Sequence, residues 1–313
     1  MPELPEVQTT VNGLNATVKG KIITDVWTDL AVKSPTLPHH QTSTKSAAFF
    51  KQFKKNIVGA KILKAERRAK NIFIHLDNNY SIWIHMKMTG HMMYGNYAFD
   101  TKIKQWIPTK EEKNEALRDP YNKYLHTVFT IKDKPFNSVQ GLRQLVLSDV
   151  RKFAKVTLVA TDTIDDVLGI GPEPLTKEFT LALCTAQILK RHGRAIKEVL
   201  LDQKIISGIG NIYSDEALWL AGIHPLRIVQ TITSAEMKKL YQSIKIVLEK
   251  GIDFGGDSTS DYRDINGERG AFQAAHNAYR MTGKPCKKRG CDGTIARLPF
   301  NGRGAHFCPV HQH

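Results

Sequence analysis

Between Ile22 and Val159 the apolar residues fall in short runs rich in β-branched and aromatic side chains: Ile22 to Trp27, Ile57 to Leu63, Ile72 to Leu76, Tyr80 to Met86, His126 to Ile131, Gln144 to Leu147 and Phe153 to Val159. Several alternate polar with apolar, the signature of half-buried strands. They predict an antiparallel β-sandwich, preceded by a short helix near residues 3 to 16. From Gly90 to Tyr124 the pattern breaks into a polar stretch, clearest from Pro108 to Asn122, which reads as a long loop or an insertion in the sheet. The run Leu168-Gly169-Ile170-Gly171-Pro172-Glu173-Pro174 marks a linker. Beyond it the spacing turns helical, at Leu181 to Lys190, Ala195 to Leu201, Asp215 to Leu220 and Ala235 to Glu249. Asp202 to Ile212 reads as a turn between helices, with Gly208 and Gly210 permitting close approach of the backbone to a partner. The expected organisation is α+β: a β-sandwich domain with flanking helices over residues 1–165, a linker at 166–176, a helical domain at 177–283 and a metal-bound tail at 284–313.

Charge changes the picture. Lys and Arg number 45 against 30 Asp and Glu, a formal net charge of +15 spread along the chain of 313 residues. A polyanion, nucleic acid first, is the expected partner. No apolar run approaches the roughly 20 residues of a membrane span, and Met-Pro-Glu-Leu-Pro-Glu lacks the basic start and apolar core of a secretion signal. A soluble, cytoplasmic protein without membrane association is expected.

Of four cysteines, Cys184 stands alone in an apolar stretch and reads as core packing, while three crowd the tail. The spacing Cys286-x4-Cys291-x16-Cys308-x2-His311 supplies two ligand pairs separated by a loop, as a tetrahedral zinc site requires. His313 or His306 could replace His311 as the fourth ligand. A closed four-ligand site is structural, with no position open for water; its expected task is to present the loop bearing Arg303 and His306 to a phosphate.

Other constellations read two ways. Removal of Met1 would leave Pro2 with a free secondary amine, and an α-amino group has a reference pKa of about 8, low enough for nucleophilic attack near neutrality. The adjacent Glu3 could serve as general acid or base. From these residues alone, Pro with nearby Glu reads first as helix-start chemistry. Arg67-Arg68-Ala69-Lys70 is a phosphate-facing corner or a solvated charge run. His85-Met86-Lys87-Met88-Thr89-Gly90 ends a strand in a turn, where Met88 reads as core filler. In Asp149-Val150-Arg151-Lys152-Phe153, alternation puts Arg151 and Phe153 on one face, able to read a base and fill a gap in a stack, or simply packed.

Four blocks in order resemble the formamidopyrimidine-DNA glycosylase family: Pro2-Glu3-Leu4-Pro5-Glu6-Val7; Leu201-Asp202-Gln203-Lys204 through Gly208-Ile209-Gly210-Asn211-Ile212-Tyr213; Gly255-Gly256 through Tyr262 to Gly270-Ala271-Phe272-Gln273; and Gly302-Arg303-Gly304-Ala305-His306-Phe307-Cys308-Pro309. The resemblance implies, in turn, an amino-terminal nucleophile, a helix-two-turn-helix, a loop closing over an extruded base, and a zinc-finger β-hairpin. It implies a bifunctional glycosylase and abasic-site lyase of base excision repair, acting as a monomer on double-stranded DNA with oxidised purines, 8-oxoguanine and formamidopyrimidines. Pro2 would be the nucleophile, with Glu3 and Lys70 also catalytic; His85, Met88, Arg151, Phe153, Lys204, Asn211 and Arg303 would contact DNA. One structural Zn2+ would sit on Cys286, Cys291, Cys308 and His311. An endonuclease VIII-like enzyme for oxidised pyrimidines and a non-catalytic zinc-dependent DNA-binding protein are the alternatives. The chain departs from the family pattern at Ala69, where glycine is common, in its cysteine spacing and fourth zinc ligand, in the longer stretch after Gly90, and at Ser260, where arginine is frequent.

Overall fold

The computed structural model describes residues 1–132 and 141–313. The chain divides into two compact units, one comprising Met1–Pro2, Glu6–Leu168 and Asp257–Gly270, the other Glu3–Pro5, Gly169–Gly256 and Ala271–His313.

In the first unit two four-stranded antiparallel sheets carry the fold. One runs in the order β1 (Ile22–Thr28), β8 (Leu125–Lys132), β9 (Leu142–Ser148), β5 (His91–Gly95); the other runs β10 (Lys155–Ala160), β4 (Tyr80–His85), β3 (Asn71–Leu76), β2 (Ile62–Arg68). Ile23 and Val26 of β1, Phe129 and Ile131 of β8, and Ile72, Ile74 and Leu76 of β3 meet in one buried cluster. Helix α1 (Leu4–Thr17) adds Val7, Val11 and Leu14 to it, a spacing that keeps one helical face inward. The antiparallel sandwich expected from the hydrophobic pattern is thus the observed architecture.

Two local readings are corrected and a third is narrowed to one of its alternatives, an insertion in the sheet. Residues 57–63 are not one strand: Ile57 ends helix α3 (Ala47–Ile57), and β2 starts only at Ile62. The helix is stabilised by Phe49, Phe50, Phe53 and Ile57 on one face, an N-cap from Ser46 to the Phe49 N–H (3.4 Å), and Lys54 and Lys55 near its carbonyl end. Phe153 lies outside β10, in the irregular segment that leads into it. The polar stretch after Gly90 is largely ordered: it forms β5, a hairpin of β6 (Tyr97–Asp100) and β7 (Gln105–Pro108), and two 3-10 helices, Glu115–Arg118 and Pro120–Lys123. Trp27, Phe99 and Trp106 pack together at the hairpin, Trp106 edge to face with the other two and Trp27 tilted against Phe99, with centroids 5.6 to 6.1 Å apart. The short helices α2 (Pro38–Gln41) and α4 (Ile164–Leu168) complete this unit.

The second unit is helical. Helices α5 (Leu181–Leu189), α6 (Ile196–Leu201), α7 (Asn211–Ala221) and α8 (Ser234–Asp253) surround a core of Leu200, Ile206, Leu218, Leu240 and Ile244. A capping box between Thr233 and Glu236 starts α8, and Gly222, at φ +77°, ends α7 in the left-handed conformation that favours glycine. Cys184 is fully buried here, and burial pushes its thiol up to about 12. The hairpin β11 (Ala296–Phe300) and β12 (Arg303–Phe307) closes the tail. Among the described residues no helix is long and apolar enough to cross a membrane.

Candidate functional site

In the second unit the block Gly208 to Tyr213 receives the residues that begin the chain. The Leu4 N–H donates to the Gly208 carbonyl (3.0 Å), and the buried Glu3 carboxylate accepts from the N–H groups of Ile212 (2.9 Å) and Tyr213 (3.3 Å). These are orphan donors of the first turn of α7, which Glu3 satisfies from 209 residues away. A Cβ at Gly210 would lie 2.3 Å from Glu3 Cδ, and one at Gly208, where φ is +94°, 2.7 Å from Leu4 Cδ1. The two glycines do allow close approach, and the partner they admit is the chain's own amino-terminal segment.

The same helix holds the tail. Asp215, fully buried, accepts from the Lys197 ammonium, from the His306 backbone N–H (3.1 Å), and pairs with His306 Nδ1 (2.9 Å). Burial lowers the affinity of Lys197 for its proton, and Asp215 opposes that shift. Asn211 Nδ2 donates to the Gly304 carbonyl (3.1 Å), so α7 grips β12 at two points. His306 is therefore buried and turned inward, contrary to its expected place on a phosphate-facing loop; Arg303, at the start of β12, is exposed. Lys204, in the turn after α6, is exposed as well.

Cys286, Cys291, Cys308 and His311 bring their ligand atoms within 4.8 Å of one another. Cys286 Sγ lies 3.2 Å from His311 Nδ1, and Cys291 Sγ 3.6 Å from Cys308 Sγ, separations that a tetrahedral ion with thiolate and imidazole ligands spans. His311 Nε2 is 3.0 Å from the Trp219 carbonyl, leaving Nδ1 to face the cluster, and the Trp219 indole N–H donates to Cys286 Sγ (3.3 Å). His306 is committed to Asp215 and His313 is not in the group, so His311 is the fourth member.

In the first unit a cavity of about 560 Å³ collects Met1, Lys87, Met88, Arg151, Lys152 and Phe153. Met88 and Phe153 are exposed, at 39% and 49%. Arg151 and Phe153 do share this cavity, but by turn geometry: Lys152 between them sits at φ +57°, and the Arg151 guanidinium lies 4.6 Å from the Phe153 ring centroid. The buried Asp149 organises the turn by accepting from the Thr89 hydroxyl, from Arg151 N (3.3 Å) and from Ala154 N (2.7 Å). Lys45, which sequence reasoning missed, donates to the Lys152 carbonyl (2.7 Å) from across the cavity wall. Burial lowers the affinity of Lys45 for its proton, and Lys87 adds to the effect. No local pattern signals this role; it depends on a contact 107 residues distant in sequence.

At the end of β4, His85 Nδ1 accepts from the Lys87 N–H (2.9 Å), which leaves a proton on Nε2. Burial, reinforced by Lys87 and Lys70, pushes this imidazole down to about 3. His85 is accordingly a neutral N–H donor and not a cation. Lys70, buried in the two-residue turn between β2 and β3, follows Ala69, whose φ of +52° is the left-handed geometry that favours glycine. Pro2 is also buried in this unit. A larger cavity, about 610 Å³, is lined by Glu66, His75 and Thr161, which the buried Ser81 links by hydrogen bonds, but Arg68 and Lys64 on its wall are paired with Asp165 and Glu66. Its charge is compensated, unlike the cationic cavity beside Met1.

Comparison with known proteins accords with this geometry. The Formamidopyrimidine-DNA glycosylase N-terminal domain family matches residues 1–156, and the Formamidopyrimidine-DNA glycosylase H2TH domain family matches residues 170–263. The chain is 35% identical to Formamidopyrimidine-DNA glycosylase of Pelotomaculum thermopropionicum, covering 100% of this chain and 99% of that one. It is 36% identical to the enzyme of Enterococcus faecalis, over 100% and 97%. Among solved structures, a Lactococcus lactis FPG mutant in complex with Fapy-dG containing DNA aligns with a TM-score of 0.79 at 30% identity, covering 100% of both chains. The complex between Lactococcus lactis Fpg and an abasic site containing DNA aligns at 0.79 and 29%, covering 99% of both. Wild-type Lactococcus lactis FPG with an oxidized pyrimidine containing DNA aligns at 0.77 and 30%, covering 100% of both. With these relatives matched along their full length, the chain belongs to the formamidopyrimidine-DNA glycosylase family and is a DNA glycosylase.

Proposed function

We propose that this enzyme excises oxidised purines, 8-oxoguanine and formamidopyrimidines, from duplex DNA and then cleaves the abasic strand through an imine on Pro2. One observation carries the reading: Met88, Arg151 and Phe153 converge on a cationic cavity that residue 1 also lines. Flipping a base out of a duplex leaves a hole and an orphaned partner. A thioether, an aromatic ring and a guanidinium gathered at one place suit filling that hole and hydrogen-bonding the base opposite. Arg151 is the residue to read that base, with cytosine the expected partner.

The chemistry follows from an amine nucleophile. In the sequence as written Met1 acylates the Pro2 nitrogen, so its removal must precede catalysis. The freed Pro2 amine attacks C1′ of the damaged nucleotide; the C1′–base bond breaks, and the departing base takes up a proton. Glu3 serves ring opening and proton transfer, its carboxylate oriented by the Ile212 and Tyr213 N–H groups. The nitrogen lone pair then expels O4′ from C1′: the C1′–O4′ bond breaks, O4′ takes up a proton as the sugar ring opens, and the C1′ imine is left as a cationic iminium on Pro2. Loss of a C2′ proton to a base expels the 3′ phosphate, and a second elimination expels the 5′ phosphate, leaving a one-nucleotide gap. Lys70 stands with the catalytic groups and contacts phosphate, as do Arg303, the second N–H of the Asn211 amide, Lys204 and the neutral His85. Cys286, Cys291, Cys308 and His311 would hold one zinc ion, whose contribution is structural, fixing the β11–β12 hairpin that bears Arg303. The enzyme acts as a cytoplasmic monomer in this reading.

The oxidised-pyrimidine complex of a similar protein makes pyrimidine lesions the second reading. Borohydride trapping separates the two. Protein lacking Met1 is incubated with a duplex carrying 8-oxoguanine opposite cytosine, or one carrying dihydrouracil, and reduced. A covalent complex with 8-oxoguanine that is absent from a Pro2→Gly variant is expected. Trapping on dihydrouracil alone would transfer the enzyme to pyrimidine lesions. Trapping on neither, with zinc bound, would leave a DNA-binding protein without this chemistry.

A further inference from the structure

The polar stretch after Gly90 ends against another segment of the same unit, residues 257–270. Arg263, only 2% exposed, directs its guanidinium at the Asp119 carboxylate, with Nη2 3.2 and 3.3 Å from its two oxygens and Nε 3.4 Å from one. Its face lies 4.8 Å from the centroid of Tyr121. The remaining amine of Arg263, Nη1, donates to the carbonyls of Ser260 (3.1 Å) and Tyr262 (2.9 Å). A guanidinium so deeply buried needs its carboxylate, because an unpaired charge there would be strongly destabilising.

Further ties join the two segments. Asn114 Nδ2 donates to the Asn266 carbonyl (2.7 Å), and Asn122 Nδ2 to the Gly267 carbonyl (3.2 Å). Gly267 is at φ +80°, and a Cβ there would lie 2.8 Å from Asn122 Nδ2 and 3.0 Å from the Ala116 carbonyl, so the contact leaves no room for a side chain. While Ser258, Tyr262 and Arg263 are buried, Ser260 at the tip is exposed. Thr259 Oγ1 is buried with no partner among the described residues. The segment has fixed shoulders and an open tip, and its shoulders are fixed from the 3-10 helices of the polar stretch.

We propose that residues 112–124 form a buttress for the 257–270 loop, in which Asp119, acting through Arg263, is a positioning residue that sets how the loop tip meets the extruded base. This rests on the excision reaction proposed above and on the resemblance of the Gly255-to-Gln273 block to a loop that closes over the extruded base. Ser260 at the exposed tip brings no charged side chain of its own, and the Asp119–Arg263 pair fixes the loop backbone through the Ser260 and Tyr262 carbonyls.

Base release needs the loop, whereas elimination at a preformed abasic site has no base to cover. Single-turnover rates are therefore compared on an 8-oxoguanine duplex and on an abasic duplex for the wild type, Asp119→Ala and Asp119→Asn. The Asn variant keeps an oxygen to cap the Tyr121 N–H (2.8 Å in the native protein) while removing the charge, and so guards against simple misfolding. Since a displacement of about 1 Å can change a rate about 100-fold, both variants are expected to slow 8-oxoguanine release about tenfold or more. Abasic-strand cleavage should stay within about twofold of wild type. Unchanged base release, or an equal loss of both reactions, would overturn the buttress. A wild type that cleaves the abasic duplex but releases no 8-oxoguanine would point to failure of the substrate reading instead, and the buttress would fall with it.

Discussion

Glu3 and Gly210 illustrate how one residue's chemistry can depend on another's lack of a side chain. The carboxylate reaches the first N–H groups of α7 only because nothing projects from Gly210, where a Cβ would approach Glu3 Cδ to 2.3 Å. Gly210→Ala should therefore displace Glu3 without unfolding the enzyme. Overpacking of this kind costs about 1–3 kcal/mol, and misplacing a catalytic group by about 1 Å costs about 100-fold in rate. Thermal unfolding and single-turnover excision of the variant measure the two effects separately. A rate near wild type would mean that Glu3 tolerates displacement. Position 85 shows the opposite dependence, of a residue's chemistry on burial: a histidine pushed down to about 3 stays neutral near neutrality and can only donate or accept, never pair as a cation.

At the level of elements, α7 is the organising piece of the second unit. Its first turn takes Glu3, its second presents Asp215 to Lys197 of α6 and His306 of β12, and Glu216 accepts from the N–H groups of Ala278 and Tyr279 (both 2.8 Å). Lys197 and Asp215 are both fully buried. Removing one partner of such a pair leaves an uncompensated charge, whereas replacing the pair with apolar groups can be nearly neutral. Asp215→Ala should accordingly lose about 3–5 kcal/mol, measured by denaturant unfolding, and adding Lys197→Met should recover a large part of the loss. Equal destabilisation by the single and double variants would mean that the carboxylate matters for the hairpin alone.

For the molecule as a whole, the excess of 45 cations over 30 carboxylates predicts DNA binding that weakens steeply with salt. Arg303 is exposed at the start of β12, and its proposed phosphate contact has a definite signature. Arg303→Ala should weaken binding to damaged and undamaged duplexes alike and reduce the slope of log affinity against log salt by about 0.9. Affinities measured from low to moderate salt test this. A slope unchanged from wild type would remove Arg303 from the phosphate contacts.

The sequence by itself determined what short-range physics controls. Period-two and helical spacings mark most strands and helices, and the clustering of Cys286, Cys291, Cys308 and His311 near the end of the chain marks a metal-capable group without any knowledge of contacts. The short helix at Ala47–Ile57 is not legible in the sequence because its aromatic run and the following Val58 to Leu63 also fit a strand, and only packing of Phe53 and Ile57 against the sandwich core decides between them. Tertiary structure alone decided the rest. The inward turn of His306 onto Asp215, the role of Lys45 at Lys152, and the receipt of Glu3 by Gly210 and Ile212 join residues 91, 107 and 209 positions apart. Such pairings leave no periodic trace in a sequence, because each partner's own neighbourhood is equally compatible with a surface charge, a turn or a helix start.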